Sequence, residues 1–172
     1  RTLRGSPVPV WVVRENESDA STPVKSILFA TDFSESARHA EGVVAQWATR
    51  LGADVEVLHV VPNTTVLFVP YAVPESRVFD DEVFESAKRR VRGVVERLRD
   101  DGVRATSEIV VGYASREIVK RAASIDAQVI AMGCRGHSGL RRFRLGSVVQ
   151  NVLADAACGV LVGSESSISE DD

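Results

Sequence analysis

The residues best suited to chemistry lie in one glycine-rich and arginine-rich segment, residues 133–147. Gly133 and Gly136 carry no side chain, so a ligand can approach the backbone closely there and a positive φ costs little. Gly146 and Ser147 open a predicted helix, whose free N–H groups and dipole attract anions. A phosphate chain on this segment would therefore meet backbone donors, a hydroxyl and guanidinium groups together. The segment has no acidic residue and four arginines: Arg135, Arg141, Arg142 and Arg144.

Two interpretations of this segment are open on the residues alone. In the first, it is a glycine-rich turn whose arginines form a solvated face. In the second, it binds phosphate, and the coincidence of glycines, arginines and a helix start at one loop favours this interpretation. The segment is not a P-loop or a dinucleotide-binding turn, because its glycines follow neither the GxxxxGK[ST] nor the GxGxxG order.

The elements that would position the segment alternate between Val24 and Gly163. Short apolar runs predict buried strands, and apolar residues spaced three and four apart predict amphipathic helices. Ser34 offers an N-cap to the first helix, and Gly52 is placed to end it. The predicted strands span 26–31, 55–60, 106–111, 127–132 and 159–162, and the last two helices span 115–124 and 147–156. The stripes predicted to be buried on the first two helices are Ala37, Ala40, Val44, Trp47 and Leu51, and Val83, Phe84, Ala87, Val91, Val94, Val95 and Leu98.

This alternation predicts an open, twisted α/β sheet with parallel strands, right-handed crossovers and helices on both faces. Such a sheet binds ligands outside the carboxyl ends of its strands. The loops after Thr31, Val60, Val111 and Met132 are therefore the expected ligand-binding positions. The stretch 62–80, with three prolines among apolar residues, does not fit the alternation. We expect it to fold over the sheet edge or to meet a partner.

The composition predicts an ordinary soluble domain. The chain has 172 residues, a net charge of −3 and 44 % apolar residues, which suits one domain. The near balance of charge argues against a dedicated nucleic-acid binder. No apolar stretch approaches the roughly 18 residues needed to cross a membrane, so we expect no membrane insertion. Cys134 and Cys158 lack the spacing of a zinc site, and the cytoplasm is the expected compartment.

The two ends of the chain lie outside the alternation. Residues 164–172 carry four acidic residues and no basic one, and they predict a solvated acidic tail. In residues 1–23, Pro9-Val10-Trp11-Val12-Val13 matches Gly159-Val160-Leu161-Val162-Gly163 at an offset of 150 positions. Either the match is a coincidence, or residues 1–23 hold the last strand of a preceding, homologous domain and a linker. The phosphate-binding α/β domain is then expected over 24–163.

The spacing of the glycines also resembles the sequence motif of a known protein family. Gly133-x2-Gly136-x9-Gly146-Ser147 matches the G-x2-G-x9-G-[S/T] nucleotide-binding signature of the universal stress protein family. The run from Phe29 to Ser34 and the sequence Leu58-His59-Val60 resemble other motifs of that family. The resemblance covers about residues 24–163. It implies a five-stranded parallel sheet of order 3-2-1-4-5, of the adenine nucleotide alpha hydrolase-like type, and ATP binding in members with this signature.

The resemblance also implies a set of site residues. Asp32 would lie by the nucleoside, Val60 would offer backbone hydrogen bonds to adenine, and Gly133 would lie near the ribose. Asp32 has a second interpretation, as a cap of the helix that begins near Ser34. The phosphates would contact Arg135, Gly136, Gly146, Ser147 and Val148. The complete set of implied binding positions is Ala30, Thr31, Asp32, Val60, Met132, Gly133, Arg135, Gly136, Gly146, Ser147 and Val148.

One position departs from the family pattern. The last strand of similar domains usually begins with Pro-Val, and this chain has Gly159-Val160, whereas Pro9-Val10 carries the usual pair. Family members often form dimers through that strand, which is otherwise an exposed apolar edge. We expect a homodimer through the last strand, or a pseudo-dimer in which the segment around Val10 covers it.

These features favour an ATP-binding regulatory or stress-response module without fast catalysis. AMP or another adenine nucleotide is an alternative ligand, with or without Mg²⁺. No Ser/His/Asp arrangement or carboxylate pair supplies an evident nucleophile or acid–base couple. A slow ATPase or an autophosphorylating enzyme, with arginines and Mg²⁺ stabilising the transferred phosphate, is the first alternative. A nucleotide-free interaction domain attached to a transporter or a tandem protein is the second.

Overall fold

Strands and helices alternate along the described part of the chain. The structure, a computed structural model, describes residues 8–13, 23–63, 81–136 and 145–163. The acidic tail, most of the stretch 62–80, and Arg141, Arg142 and Arg144 lie outside the described residues. The elements are β1 (Val10–Val12), β2 (Ser26–Ala30), α1 (Glu35–Leu51), β3 (Asp54–Pro62), α2 (Asp81–Asp100), β4 (Ala105–Gly112), α3 (Ala114–Ser124), β5 (Val129–Gly133), α4 (Ser147–Asp155) and β6 (Gly159–Gly163).

One sheet joins the six strands in the order β1-β6-β5-β2-β3-β4. The strands from β2 to β6 pair in parallel, whereas β1 pairs antiparallel with β6, with Trp11 opposite Leu161. The predicted α/β class with a largely parallel sheet is confirmed. The predicted five-stranded sheet of order 3-2-1-4-5 is wrong, because the N-terminal strand β1 covers the open edge of β6 and makes a sixth strand. Within the sheet, the parallel strands follow one another as β4-β3-β2-β5-β6.

Each face of the sheet carries its own apolar core. Because side chains alternate along a strand, Ile27 and Phe29 of β2 belong to the core under α1 and α2, whereas Leu28 and Ala30 belong to the core under α3 and α4. All four are buried. This explains why β2 is a continuous apolar run, as expected for a strand covered on both faces.

The ends of α1 follow the predicted capping residues. The Ser34 side chain accepts a hydrogen bond from the Ala37 N–H, so Ser34 is the N-cap. Gly52 adopts a left-handed conformation, with φ of 65°, and its N–H donates to the Ala48 carbonyl. Both predictions are confirmed: Ser34 fixes where the chain enters α1 after β2, and Gly52 fixes where the helix ends.

Two residues predicted on buried stripes are exposed instead. Leu51 is 45 % exposed at the last position of α1, and Val83 is 50 % exposed in the first turn of α2. The buried stripe of α2 begins one turn later, at Ala87, and continues to Leu98. Apolar residues recur at helical spacing up to the ends of both helices, but the ends themselves do not pack against the sheet. The spacing alone therefore predicted too long a buried stripe. Within the described segments, no helix combines the length and apolar character needed to cross a membrane.

Candidate functional site

A pocket opens at the carboxyl ends of β2, β3 and β5, on the face of the sheet that α3 and α4 cover. It encloses about 140 Å³. The structure brings to this pocket the whole set of binding positions that the resemblance implies, although they come from distant parts of the chain. They are Ala30, Thr31, Asp32, Val60, Met132, Gly133, Arg135, Gly136, Gly146, Ser147 and Val148.

Four further residues line the pocket and were not predicted to do so: Leu58, Ala114, Ile118 and Val149. All are apolar, and the sequence marks three of them only as members of a buried strand or a helix stripe. Ala114 begins α3 and is separated from β4 by Tyr113 alone, in the loop after Val111 where ligand binding was expected. The others become part of the pocket because α3 and α4 pack together over this face of the sheet.

Short polar side chains hold the turn that follows β2. Thr31 Oγ1 accepts the Phe33 N–H at 3.0 Å, and Asp32 Oδ1 accepts the Ser34 N–H at 3.0 Å. Ser34 in turn caps α1 by accepting the Ala37 N–H at 3.3 Å. Ser34 is therefore the residue that caps the helix, while Asp32 fixes the turn before it and lines the pocket.

The backbone of Arg135 is clamped from the start of α1. Its carbonyl accepts the Ser36 hydroxyl at 2.6 Å and the Ser34 hydroxyl at 3.1 Å. Its N–H donates back to Ser36 Oγ at 3.1 Å. Ser36 is buried and was not predicted as a site residue; the repeated serine after the strand was its only signal. The two hydroxyls fix the loop from which the Arg135 side chain starts.

Packing requires one of the motif glycines, Gly133, and favours a second, Gly136. A Cβ on Gly133 would collide with Ser36 Oγ and would lie 2.7 Å from the Ala37 nitrogen. A Cβ on Gly136 would lie 2.7 Å from Asp32 Oδ2. Neither glycine adopts the positive φ that glycine would permit. Gly133 lets β5 approach α1, and Gly136 leaves room for the Asp32 carboxylate.

The third motif glycine has a different role. Gly146 has φ of −59° and ψ of 147°, and a Cβ there would meet its nearest neighbour, the Cys134 carbonyl, at an ordinary 3.5 Å. Its N–H donates to that carbonyl at 3.0 Å, and its own carbonyl accepts the Gln150 N–H at 3.0 Å. The following N–H groups, of Ser147 and Val148, belong to the first turn of α4, where helices have no acceptor of their own. This end of the pocket is therefore an electropositive helix terminus.

The backbone of Val60 faces the pocket for a reason of register. The Leu58 carbonyl accepts the Thr31 N–H at 2.9 Å, so Leu58 directs its backbone groups toward β2. Alternate residues of a strand direct these groups to the same side, so those of Val60 point the same way. Because β2 ends at Ala30 and the chain turns into α1, the backbone groups of Val60 face the space beyond the strand end.

His59 lies next to the pocket and is held in a neutral form. Its Nδ1–H donates to the Thr31 carbonyl at 2.8 Å, and its ring lies 4.5 Å from the Phe33 ring. Burial lowers the pKa of His59 below its usual value, and the nearby Arg90 charge lowers it further, while the hydrogen bond to Thr31 acts in the opposite direction. The imidazole therefore supports the turn as a neutral hydrogen-bond donor.

The charged groups of the pocket are few. Among the described lining residues, Asp32 is the one carboxylate and Arg135 the one guanidinium. In the described ranges, no three or more His, Cys, Asp and Glu side chains are grouped as a metal site. The arrangement therefore offers an anion-binding helix end and apolar walls, with a single carboxylate beside them.

A profile of the Universal stress protein family matches residues 23–163, which include every element except β1. The chain belongs to the universal stress protein family. The resemblance carried by the glycine motif is thereby confirmed.

Individual universal stress proteins show how far the similarity extends. The universal stress protein MJ0577 of Methanocaldococcus jannaschii is 33 % identical over 155 residues, which cover 83 % of this chain and 96 % of that protein. The solved structure of MJ0577 has a TM-score of 0.72 at 31 % identity and covers 84 % of this chain and 98 % of its own. This family member therefore shares both the sequence pattern and the fold with the chain over nearly its full length.

Two solved universal stress proteins hold adenine nucleotides. One, from Archaeoglobus fulgidus, is in complex with dAMP; it has a TM-score of 0.61 at 22 % identity and covers 83 % of this chain and 100 % of its own. Another is in complex with cAMP; it has a TM-score of 0.58 at 20 % identity and covers 83 % of this chain and 98 % of its own. At these sequence identities, the similarity to the two complexes shows a shared fold alone.

Proposed function

We propose that this universal stress protein binds ATP in the pocket and acts as a regulatory, stress-response module without fast catalysis. The observation that carries the proposal is the meeting of apolar walls with the amino end of α4 in one pocket. An adenine nucleotide needs both surfaces, because its base is flat and apolar while its phosphates are anionic. The dAMP and cAMP complexes of universal stress proteins support adenine as the base.

The adenine and ribose would occupy the strand-end side of the pocket. Leu58, Ile118 and Met132 supply buried apolar surface there. The backbone groups of Val60 would pair with the edge of the base, since they point beyond the end of β2. The Asp32 carboxylate would accept hydrogen bonds from the ribose hydroxyls, because it lines the pocket at the end of β2 and its Oδ2 faces Gly136.

The phosphates would contact the start of α4. The N–H groups of Ser147 and Val148, the Ser147 hydroxyl and the Arg135 guanidinium provide neutral and charged donors. Ser34 and Ser36 hold the Arg135 backbone, so little loop entropy is lost when the ligand binds. If Mg²⁺ accompanies ATP, the phosphate oxygens would supply most of its ligands, because one carboxylate alone lines the described pocket.

Slow hydrolysis or autophosphorylation is the alternative within the same pocket. It would need a group that activates water or a protein hydroxyl. His59 is neutral and close, but its Nδ1–H is engaged with Thr31, and Phe33 covers its ring. Asp32 is the remaining acid–base group of the described pocket. We therefore favour binding over turnover.

The pairing of β1 with β6 supports the pseudo-dimer expectation. We propose that residues 1–23 derive from a preceding, homologous domain, whose last strand continues to cover the edge of the domain at 24–163. Val10 and Val12 lie opposite Val162 and Val160 in the antiparallel pair. A homodimer through β6 would require β1 to leave that edge.

The test of the nucleotide proposal has two stages. Small molecules released from the denatured, purified chain are identified by mass spectrometry, and the stripped chain is titrated with ATP, AMP and adenosine by calorimetry, with and without Mg²⁺. We expect ATP to bind at least about tenfold more tightly than adenosine, because the phosphates carry the charged contacts. Equal affinities would contradict the phosphate contacts, and absence of any binding would instead support a nucleotide-free interaction domain.

A further inference from the structure

A second cleft lies on the opposite face of the sheet, between α1 and α2. It has a volume of about 260 Å³. Thr31 lines both this cleft and the nucleotide pocket, so the turn after β2 is the wall between them. The charged lining comes from Arg38 and Glu41 of α1 and from Arg89, Arg90 and Arg97 of α2.

The cleft carries more positive charge than its own residues neutralise. Arg97 forms a two-pronged ion pair with Glu41, at 2.6 and 3.0 Å. Among the residues that the structure describes, no carboxylate lies within ion-pair distance of Arg38, Arg89 or Arg90. Three guanidinium groups of like charge therefore line one concavity. All three side chains are exposed, so water screens their mutual repulsion, and an anion in the concavity would be attracted by all three charges.

One of these arginines is already oriented by an aromatic ring. The guanidinium carbon of Arg90 lies 4.1 Å from the centre of the Phe33 ring. Phe33 is itself buried, and its φ of 64° directs the chain so that the ring lines the cleft and not the nucleotide pocket. Stacking occupies the flat face of a guanidinium and leaves the N–H groups at its edge for an anion.

A glycine keeps the space between the arginines open. Gly93 lies on the same face of α2 as Arg89 and Arg97, one turn from each. Glycine in the middle of a helix is destabilising relative to alanine, so its presence at a cleft wall needs a reason. A Cβ there would lie 3.5 Å from Arg97 Nη1 and would project into the concavity.

We propose that this cleft is a second ligand site, which binds a compact, multiply charged phosphate anion of the diphosphate type. Three guanidinium groups can contact several phosphate oxygens at once, since each group offers a planar pair of donors. The small volume favours a compact anion over an extended acidic chain. The diphosphate group belongs either to free pyrophosphate or to a second nucleotide.

Calorimetric titration of the full chain with inorganic pyrophosphate tests the site. We expect Arg89→Gln and Arg38→Gln to weaken pyrophosphate binding at least about tenfold each, as for a lost charged hydrogen bond. Arg92→Gln is the matched control, because Arg92 is an exposed arginine on α2 that does not line the cleft. It should change the affinity less than twofold. An equal loss in Arg92→Gln would show that pyrophosphate responds to the charge of the helix and would overturn the proposal.

The titrations are repeated in a Gly136→Val chain, in which the added side chain displaces Asp32 and obstructs the first pocket. Pyrophosphate binding that persists there and still depends on Arg89 supports the second site. Binding that disappears there would assign the anion to the first pocket alone and overturn the second site. ADP is then titrated into the same Gly136→Val chain. If ADP binds and its affinity also depends on Arg89, the diphosphate belongs to a nucleotide. If pyrophosphate binds and ADP does not, the ligand is the free anion. Failure of ATP to bind the native chain would overturn the proposed function and leave the binding of free pyrophosphate in the cleft standing.

Discussion

The indole of Trp11 occupies the space that a side chain at position 159 would need. A Cβ built on Gly159 lies 2.5 Å from Trp11 Nε1. Trp11 also packs edge-on against Trp47 of α1, with ring centres 5.0 Å apart. Glycine at position 159 therefore leaves room for Trp11 of β1, a strand of the same chain. The side chain of Trp11 in β1 thus packs closely against Gly159 at the start of β6.

This fit predicts that Gly159 and Trp11 are energetically coupled. Gly159→Ala should lower the free energy of unfolding by about 1–3 kcal/mol, because the methyl group displaces the indole. The same substitution in a Trp11→Ala chain should change stability far less. Urea denaturation of the four chains measures the coupling. Equal losses in both backgrounds would show that the contact does not determine the residue at 159.

Removal of residues 1–22 should change the oligomeric state. The β6 edge is apolar and buried, with Val160, Leu161 and Val162 all under 5 % exposed. Without β1, this edge would have unpaired backbone groups and would pair with another copy. Light scattering should then report a larger mass per particle for the shortened chain than for the full chain, after allowance for the deleted residues. A monomer in both cases would exclude the edge-covering role of β1.

Substitutions at the motif glycines should differ in their effect on the stability of the fold. Gly133→Ala should destabilise the fold, because its methyl group would meet the backbone of α1. Gly146→Ala should fold normally, because its φ of −59° suits alanine and its neighbours are at ordinary distance. Any loss of ATP affinity in Gly146→Ala then reports on ligand approach alone. Thermal unfolding and calorimetry of the two chains separate these effects, and equal melting temperatures would contradict the packing role of Gly133.

His59 should make stability depend on pH in a defined window. Its pKa is lower in the folded chain than the ordinary value of 6.5, so below that value the unfolded chain binds more protons. The free energy of unfolding should therefore decrease as the pH falls from 6.5 toward the folded pKa. In His59→Gln, which retains a donor for the Thr31 carbonyl, this part of the decrease should disappear. Urea denaturation between about pH 7 and pH 5 measures it; parallel curves for the two chains would contradict it.

Much of the site could be predicted from the sequence because it depends on local rules. Strand ends, helix starts and glycine spacing are properties of short segments, and a parallel sheet brings strand ends to one edge. That is why Asp32, Val60 and Gly146 line one pocket as expected. The base and ribose roles proposed for Val60, Asp32 and Gly133 come from the resemblance to universal stress proteins and not from spacing.

The features that could not be predicted depend on contacts across the chain. The match around Val10 predicted the covering of β6 as one of two alternatives, but the contact of Trp11 with Gly159 and Trp47 is contained in no local pattern. The packing role of Gly133 depends on how closely β5 approaches α1. The left-handed backbone of Phe33 also could not be predicted, because aromatic residues rarely adopt a positive φ.

The affinity of ATP for the native chain and for two arginine variants tests most directly whether the pocket binds the phosphates of ATP. Calorimetry is performed on the native chain, on Arg135→Ala, and on Arg116→Ala, which removes an exposed arginine of α3 that does not line the pocket. We expect Arg135→Ala to lose about 1.5–3 kcal/mol of ATP binding, roughly ten- to hundredfold in affinity, with adenosine binding unchanged. Arg116→Ala should bind ATP like the native chain. Undiminished ATP affinity in a folded Arg135→Ala chain would contradict the account.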